Sequence, residues 1–233
     1  MRAKQWVLPF FQSTGGEAVR RYMDMDQISD GRRYRRQDLV KLGCQECEGC
    51  SACCHQMVEI PLDPWDLYML YTHQDETMQE LFTQKLALQA VDGLVLPVLR
   101  MDGPREACRF LNDQGRCSIH AFRPGICRLF PLGRIYEEDG FSYFLQVDEC
   151  RKTNRTKVKI EKWLGIPNLA AYEKFVVSWH EVLENVRASR EDLVADLCKM
   201  VNTRLLQTFL LTPYQQEDFY EQFSERLHRW QSM

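Results

Sequence analysis

The densest chemical signal in this 233-residue chain is a run of five cysteines, at positions 44, 47, 50, 53 and 54. Two residues separate each of the first four from the next, a spacing that lets one turn direct several thiolates to a single ion. The intervening residues include Gly49, Ser51 and Ala52, whose small side chains let the backbone turn tightly. We therefore expect a bound metal, and not apolar packing alone, to organise this part of the fold.

The chain has ten cysteines in all, and their meaning depends on the compartment. Cytosolic thiols are kept reduced, whereas disulfide scaffolds belong to small secreted domains. The basic start Met1–Lys4 is followed by an apolar run that Pro9 interrupts, without a small-residue cleavage pattern, so no signal peptide is predicted. No uncharged apolar stretch reaches the ~18 residues that would span a bilayer. We expect a soluble, cytoplasmic protein whose cysteines bind metal.

Four further cysteines, at positions 108, 117, 127 and 150, lie on or beside predicted tight turns. Backbone geometry at such turns can direct several thiolates to one point. Cys53 and Cys54 are adjacent, and we expect their side chains to diverge. On that expectation they serve two different centres, or one is a ligand and the other its neighbour. Cys198 falls on a predicted tail helix and is interpreted as a buried, small apolar residue.

The order of these cysteines resembles that of the YkgJ-like cysteine-cluster family, described as a zinc- or iron-chelating domain. The shared pattern is C-x2-C-x2-CC at 47–54, a cysteine before a hairpin, a C-x-I stretch at 117–119 and Arg-Pro-x2-Cys-Arg-x-Phe-Pro at 123–131. The resemblance covers roughly residues 44–150, with Cys44 an addition to the family core. The resulting candidate metal ligands are Cys47, Cys50, Cys53, Cys54, Cys108, Cys117, Cys127 and Cys150, with Cys44 as a further candidate.

Two kinds of metal centre fit these ligands. A [4Fe–4S] cluster takes four thiolates, and three at two-residue spacing plus one remote cysteine is a familiar supply. Zinc bound by four thiolates would staple short strands and turns together and contribute folding energy directly. We expect a [4Fe–4S] cluster, with zinc as the alternative. One or two zinc ions are considered, because eight cysteines can fill two four-thiolate sites.

Three functions are weighed for such a centre. The first is a binding protein for redox chemistry, metal handling or protein association, since no nucleophile–base pair or phosphate loop stands out. The second is an enzyme, because the similar flagellin lysine methylases imply an S-adenosylmethionine-dependent lysine N-methylase. No glycine-rich methyltransferase loop supports it, and whether the chain is catalytic stays open. The third is a structural zinc module whose basic run at residues 32–36 contacts RNA.

The partner is expected to be another protein. A formal net charge of −3 argues against a surface built throughout for nucleic acid or anionic lipid. The run at residues 32–36 is basic, but so short a signal is more typical of a solvated surface segment.

Some neighbouring side chains have two interpretations. His55 and His120 lie close to cysteines and are weighed as nitrogen ligands, although enough sulfur is present without them. Arg123 and Arg128 flank Cys127, where their positive charge would stabilise thiolates. The same two arginines would equally suit hydrogen bonding that holds the turns of the fold.

The hydrophobic pattern predicts an α+β fold, in which a metal-stapled middle of short strands and turns packs with helices from both sides. We divide the chain into a lead-in over 1–43, a cysteine-cluster domain over 44–155 and a helical segment over 156–233 that packs on it. The predicted strands are 94–99 and the hairpin pairs 109–111 with 117–119 and 134–136 with 141–147. The predicted helices begin at Pro64, after the capping residue Asp63, and cover about 75–90 and 172–186, with further starts at Ser189 and at Thr212–Pro213.

Overall fold

The computed structural model describes residues 25–43, 50–57, 59–103, 106–150, 152, 154–190, 193–215 and 218–232. The N-terminal segment used for the signal-peptide prediction lies outside these residues, as do Cys44 and Cys47. Short antiparallel strand pairs alternate with helices, and the C-terminal region is helical. The predicted α+β class is therefore confirmed.

The helices are α1 Met25–Ile28, α2 Pro64–Thr72, α3 Met78–Gln84, α4 Gly125–Leu129, α5 Ile160–Leu164, α6 Leu169–Arg190, α7 Ala195–Leu205 and α8 Phe219–Gln231. Short 3₁₀ turns lie at Ala52–Cys54 and His120–Phe122, and α7 continues into the π-helical segment Leu206–Leu211. The strands are β1 Leu39–Gly43, β2 Leu86–Val91, β3 Leu94–Leu99, β4 Met101–Asp102, β5 Ala107–Cys108, β6 Leu132–Glu137, β7 Gly140–Leu145 and β8 Thr156–Lys159.

These strands form four two-stranded antiparallel ribbons, β1 with β8, β2 with β3, β4 with β5 and β6 with β7. The β6–β7 ribbon confirms the hairpin predicted around Asp139–Gly140. The β1–β8 ribbon joins the lead-in to the chain beyond the cysteine-rich segment, with Gly43 opposite Thr156. That pairing was not predicted, because neither strand carries a strong local signal.

Helix α2 begins where the sequence predicted it. The Asp63 side chain accepts a hydrogen bond from the Asp66 N–H at 2.8 Å, and the Asp66 side chain accepts one from the Asp63 N–H at 3.1 Å. This reciprocal capping box satisfies two of the backbone donors left unpaired at a helix start. It also fixes Asp66, a buried carboxyl, at the base of the helix.

The helix predicted over 75–90 is wrong in its second half. Helix α3 ends at Gln84, and residues 86–91 form strand β2. Every residue of β2 pairs with β3, from Leu86 opposite Leu99 to Val91 opposite Leu94. This cross-strand pairing outweighs the apolar spacing that favoured a helix, because strand preference depends on the partner strand.

The hairpin predicted from 109–111 and 117–119 is a tight turn without flanking strands. A single bridge joins Leu111 to Cys117. The Asn112 side chain holds the turn by accepting from the N–H groups of Gln114 and Arg116, at 3.1 and 2.8 Å. Two backbone hydrogen bonds, from the Asn112 N–H to the Arg116 carbonyl and from the Ser118 N–H to the Phe110 carbonyl, complete the turn.

The helical tail is confirmed, with two corrections to its boundaries. Helix α6 covers the predicted 172–186, but it runs through Ser189, and the next helix begins only at Ala195. The last helix begins at Phe219 after the capping residue Asp218, not at Pro213. Arg226 keeps the chain around Pro213 non-helical by donating to the carbonyls of Thr212 and Pro213, at 2.7 and 2.8 Å.

Aromatic side chains make the core that joins the tail helices. The ring of Phe175 on α6 lies 4.7 Å from that of Phe223 and 5.1 Å from that of Phe219, both on α8. Phe209 packs 5.6 Å from Trp179. Among the described helices, none is both long and apolar enough to cross a bilayer.

Candidate metal centre

Four separated segments contribute thiols to one cluster. Cys53 and Cys54 lie on the 3₁₀ turn Ala52–Cys54, Cys108 ends β5, Cys117 follows the Asn112 turn, and Cys127 lies on α4. These five thiols interact electrostatically with one another, so they share one region of the protein. We call these five residues the thiol cluster.

Backbone pairing brings the first segment to the second. His55, directly after the 3₁₀ turn, forms an antiparallel bridge with Ala107, the neighbour of Cys108. The Gln56 N–H donates to the Glu106 carbonyl at 2.9 Å. Ser51 adopts a left-handed conformation, with a φ of 49°, which starts the turn. Cys54 is thereby placed beside Cys108.

Two sulfurs of the thiol cluster accept backbone hydrogen bonds in the same way. The Phe110 N–H donates to the sulfur of Cys108, and the Ile119 N–H donates to the sulfur of Cys117. In both cases the donor lies two residues after the cysteine. An N–H directed at sulfur favours the thiolate over the thiol, so these turns are suited to hold metal ligands.

Helix α4 places Cys127 through contacts made at the helix start. The Gly125 N–H donates to Asp66 Oδ1 at 2.7 Å, which ties α4 to the base of α2. A Cβ at Gly125 would overlap the Tyr172 hydroxyl, so glycine is required for this close approach. Neither Asp66 nor Gly125 was predicted as part of the site, because a contact between residues so distant in sequence leaves no local signal.

Burial keeps most of the cluster thiols protonated when no cation is near. It raises the pKa of Cys108 to about 11, and the charges of neighbouring cysteines add to the rise. Burial also raises the pKa of Cys117, and that of Cys127 well above its ordinary value. A cation bound among these sulfurs would offset both the burial and the mutual repulsion, and would displace the protons.

The expectation that Cys53 and Cys54 diverge is wrong. A hydrogen bond joins their side chains, which lowers the pKa of Cys53 to about 7 and raises that of Cys54. Adjacent side chains are opposed in an extended strand, but a 3₁₀ turn separates them by only a third of a revolution. Both sulfurs can therefore face the same region.

The two arginines beside Cys127 have different roles. Arg128 is buried, and its guanidinium donates to the carbonyls of Arg123, Leu164 and Gly165 at 3.0, 3.2 and 3.3 Å, and to that of Ala121. It therefore holds the turns of the fold. Arg123 lies where its charge lowers the pKa of Cys53 and Cys117, so it supports the thiolate forms.

The other predicted ligands are not part of the thiol cluster, or they lie outside the described residues. Cys50 is exposed and Cys150 is half-buried. Cys198, also half-buried, lies on α7 with its sulfur 3.6 Å from the Leu193 carbonyl. All eight cysteines that the structure describes are thiols without a disulfide. His120 is exposed, and Arg123 donates to its carbonyl at 2.8 Å, while His55 serves the bridge to Ala107.

The fit of a metal to this region depends on the chemistry of the donors. Within the part of the chain that the structure describes, no three cysteine, histidine or acidic side chains form a group close enough to hold one ion. The thiol cluster nevertheless supplies five soft sulfur donors, with N–H groups directed at two of them. This donor set suits zinc or iron and not a hard cation such as magnesium.

The basic run of the lead-in is largely engaged within the protein. Arg36 pairs with Glu173 at 3.1 Å, and Arg35 donates to the Phe141 carbonyl at 3.0 Å. Arg32 and Arg33 remain exposed. Arg35 is also exposed despite its hydrogen bond, and three exposed arginines make a small surface for the RNA contact considered from the sequence.

The fold and the thiol cluster together define a cysteine-cluster protein. Residues 46–160 match the CxxCxxCC family model, described as "Putative zinc- or iron-chelating domain". Over this segment the chain is similar to the CxxCxxCC family, and the resemblance found in the motifs is confirmed. No curated protein and no solved structure matches the chain significantly.

Proposed function

We propose that this protein holds a [4Fe–4S] cluster in the cytoplasm and serves redox chemistry, metal handling or association with another protein. The observation that carries the proposal is the convergence of Cys53, Cys54, Cys108, Cys117 and Cys127 from four segments. An iron–sulfur centre needs free thiolates, and the described cysteines form no disulfide with one another.

The ligands are drawn first from the thiol cluster. Four thiolates complete such a centre, and the fifth thiol stays beside it. Cys47, Cys50 and Cys150 supply further sulfur for a second centre. Because the described donors are not yet within reach of one ion, binding includes a closing of the turns around the metal. Once bound, the cluster supplies electron transfer or structural cross-linking.

A protein partner is supported by the surface of α7. Val194 and Met200 are 67% and 65% exposed, and Leu197 is 43% exposed. These apolar side chains lie three residues apart, which places them on one side of the helix. Such a surface is more typical of protein contacts than of nucleic-acid binding.

The test is an anaerobic preparation of the full chain, examined by visible absorption and by iron, sulfide and zinc analysis. We expect a broad visible band with about four iron and four sulfide per centre. A colourless protein with one or two zinc ions would show that the bound metal is zinc and not an iron–sulfur cluster. A protein with neither metal would refute metal binding.

Single serine variants then test the ligands. Cys108→Ser, Cys117→Ser and Cys127→Ser should each lower the metal content strongly. Cys198→Ser is the matched control, because this residue lies on α7 and is not part of the thiol cluster, and the variant should keep the wild-type content. Equal metal content in all four variants would exclude the thiol cluster as the site.

A further inference from the structure

A cavity of about 100 Å³ lies beside the thiol cluster but outside it. It is bounded by the start of α2, the tip of the β2–β3 ribbon, strand β6 and helix α6, and it opens partly to solvent. Its volume is several times what one water molecule requires. Ile126, next to Cys127 on α4, forms part of the wall.

Most of the wall is apolar. Leu96 from β3 and Val176, Trp179 and Leu183 from α6 line it, and all four are buried core residues. An apolar wall of this kind favours the hydrocarbon part of a small molecule over water. The cavity is therefore shaped for an organic ligand with an aliphatic portion.

One cation reaches this cavity with a donor unused. Arg134 on β6 is only 6% exposed, and its Nε–H has no hydrogen-bond partner among the described residues. Another nitrogen of its guanidinium donates to the Tyr172 hydroxyl at 3.4 Å. The rings of Phe141 and Tyr172 lie 5.4 and 5.7 Å from the guanidinium carbon and hold it in place. A buried donor left unpaired is costly, so the site calls for an acceptor.

The other charged groups in the wall already have partners. At the start of α2, the Asp63 side chain accepts from the Asp66 N–H. The Asp66 side chain accepts from the N–H groups of Asp63 and Gly125. Arg187 donates to Glu184 at 2.5 Å and to the Asp92 carbonyl at 3.2 Å. Of the lining residues that the structure describes, Arg134 is the one with a fully buried side-chain nitrogen or oxygen that lacks a hydrogen-bond partner.

We propose that this cavity binds a small aliphatic carboxylate. The carboxylate accepts from the Arg134 Nε–H, and the hydrocarbon chain packs against Leu96, Val176 and Leu183. A carboxylate suits the guanidinium because charge-assisted hydrogen bonds are about twice as strong as neutral ones. The carboxyl groups of Asp63 and Asp66 in the same wall are engaged by backbone N–H donors, which offset their charge.

The probe is isovalerate, with isovaleramide and isopentylamine as a neutral and a cationic compound of similar shape. Binding to the full chain is measured by ligand-observed NMR and by the shift in melting temperature. We expect isovalerate to bind saturably. The amide should bind at least about tenfold more weakly, because it lacks the negative charge. The amine should not bind.

Two variants separate the cavity from the rest of the surface. Leu183→Phe fills the cavity and leaves Arg134 in place, so it should abolish isovalerate binding while the chain stays folded. Leu88→Phe makes the same change at a side chain that is 46% exposed, and it should bind as the wild type does. The melting curve and the metal content of each variant report folding independently of the ligand.

Three outcomes would overturn the proposal. If the wild type does not bind isovalerate at millimolar concentration, the cavity does not bind such a carboxylate and holds water alone. Equal binding of the amide or the amine would remove the role of Arg134. Unchanged binding in a folded Leu183→Phe variant would place the ligand elsewhere.

Discussion

Asp66 and Gly125 are 59 residues apart in sequence, yet the Gly125 N–H donates to Asp66 Oδ1 at 2.7 Å in the protein interior. The carboxyl that caps α2 thus also holds the start of α4, the helix that carries Cys127. One side chain thereby couples a local helix cap to the position of a candidate metal ligand.

Replacing Asp66 should show this coupling. Asp66→Ala leaves the N–H groups of Gly125 and Asp63 without their acceptor, and we expect a loss of about 2–3 kcal/mol in the free energy of unfolding. Asp66→Asn keeps one acceptor oxygen and should lose less. Urea unfolding measures both, with the exposed Asp113→Ala as the control, which should stay within about 0.5 kcal/mol of wild type. A loss in Asp66→Ala no larger than in the control would refute the coupling.

Gly125 should tolerate no larger side chain while Tyr172 keeps its hydroxyl. We expect Gly125→Ala to cost about 1–3 kcal/mol, because the new methyl group overlaps that hydroxyl. Tyr172→Phe removes the hydroxyl that the methyl group would overlap. The double variant should therefore lose less free energy of unfolding than the two single variants lose together. A double-mutant cycle by urea unfolding measures this difference, and strict additivity would argue against the contact.

Arg128 should not be replaceable by lysine. One ammonium group cannot reproduce the fork that reaches the carbonyls of Ala121, Arg123, Leu164 and Gly165. We expect Arg128→Lys to lose about 2–4 kcal/mol in chemical unfolding, from unpaired buried carbonyls. Arg229→Lys, on the exposed side of α8, should remain near wild type. Similar values for the two variants would show that Arg128 is not a structural clamp.

Stability should fall in mild acid because of His180. Its ring stacks on Tyr136 with centroids 3.6 Å apart, and burial lowers its pKa from 6.5 to about 4. The unfolded chain therefore binds a proton that the folded chain excludes. Stability is fully present above about pH 6.5 and is lost as the pH falls towards 4, by about 1–2 kcal/mol.

His180→Phe keeps the stacked ring and removes the titration. Urea unfolding at pH 7, 6 and 5 should show a smaller loss for this variant than for the wild type. The comparison at each pH cancels contributions from other groups, including the buried carboxyls. His228→Gln, at an exposed position on α8, should follow the wild-type curve. An identical pH dependence in His180→Phe and wild type would contradict the assignment.

Local signals in the sequence predicted the structure correctly where it depends on contacts between residues close together in the chain. The Asp63–Pro64 start of α2, the Asp139–Gly140 hairpin and the helical spacing of 172–186 all appear in the structure. Each depends on contacts within one turn or one hairpin. The family match likewise follows from the spacing of the cysteines.

Non-local contacts account for what the sequence did not predict. Residues 86–91 have helical apolar spacing, but their pairing with β3 decides the structure. The buried positions of Asp66 and Arg134 depend on chain segments far from them in sequence. The shared hydrogen bond of Cys53 and Cys54 depends on the backbone form of one short turn. None of these features has a pattern that can be recognised in a window of residues.

The β1–β8 ribbon has a consequence for metal affinity. Gly43 and Thr156 are partners in this ribbon, so the cysteine-bearing segment between them is a large loop that is already closed at its base. Closing a loop costs entropy that grows with the logarithm of its length. Because the ribbon has met that cost in advance, an incoming ion has only to draw together short turns. Metal affinity in this protein should thus depend on two strands that carry none of the candidate ligands.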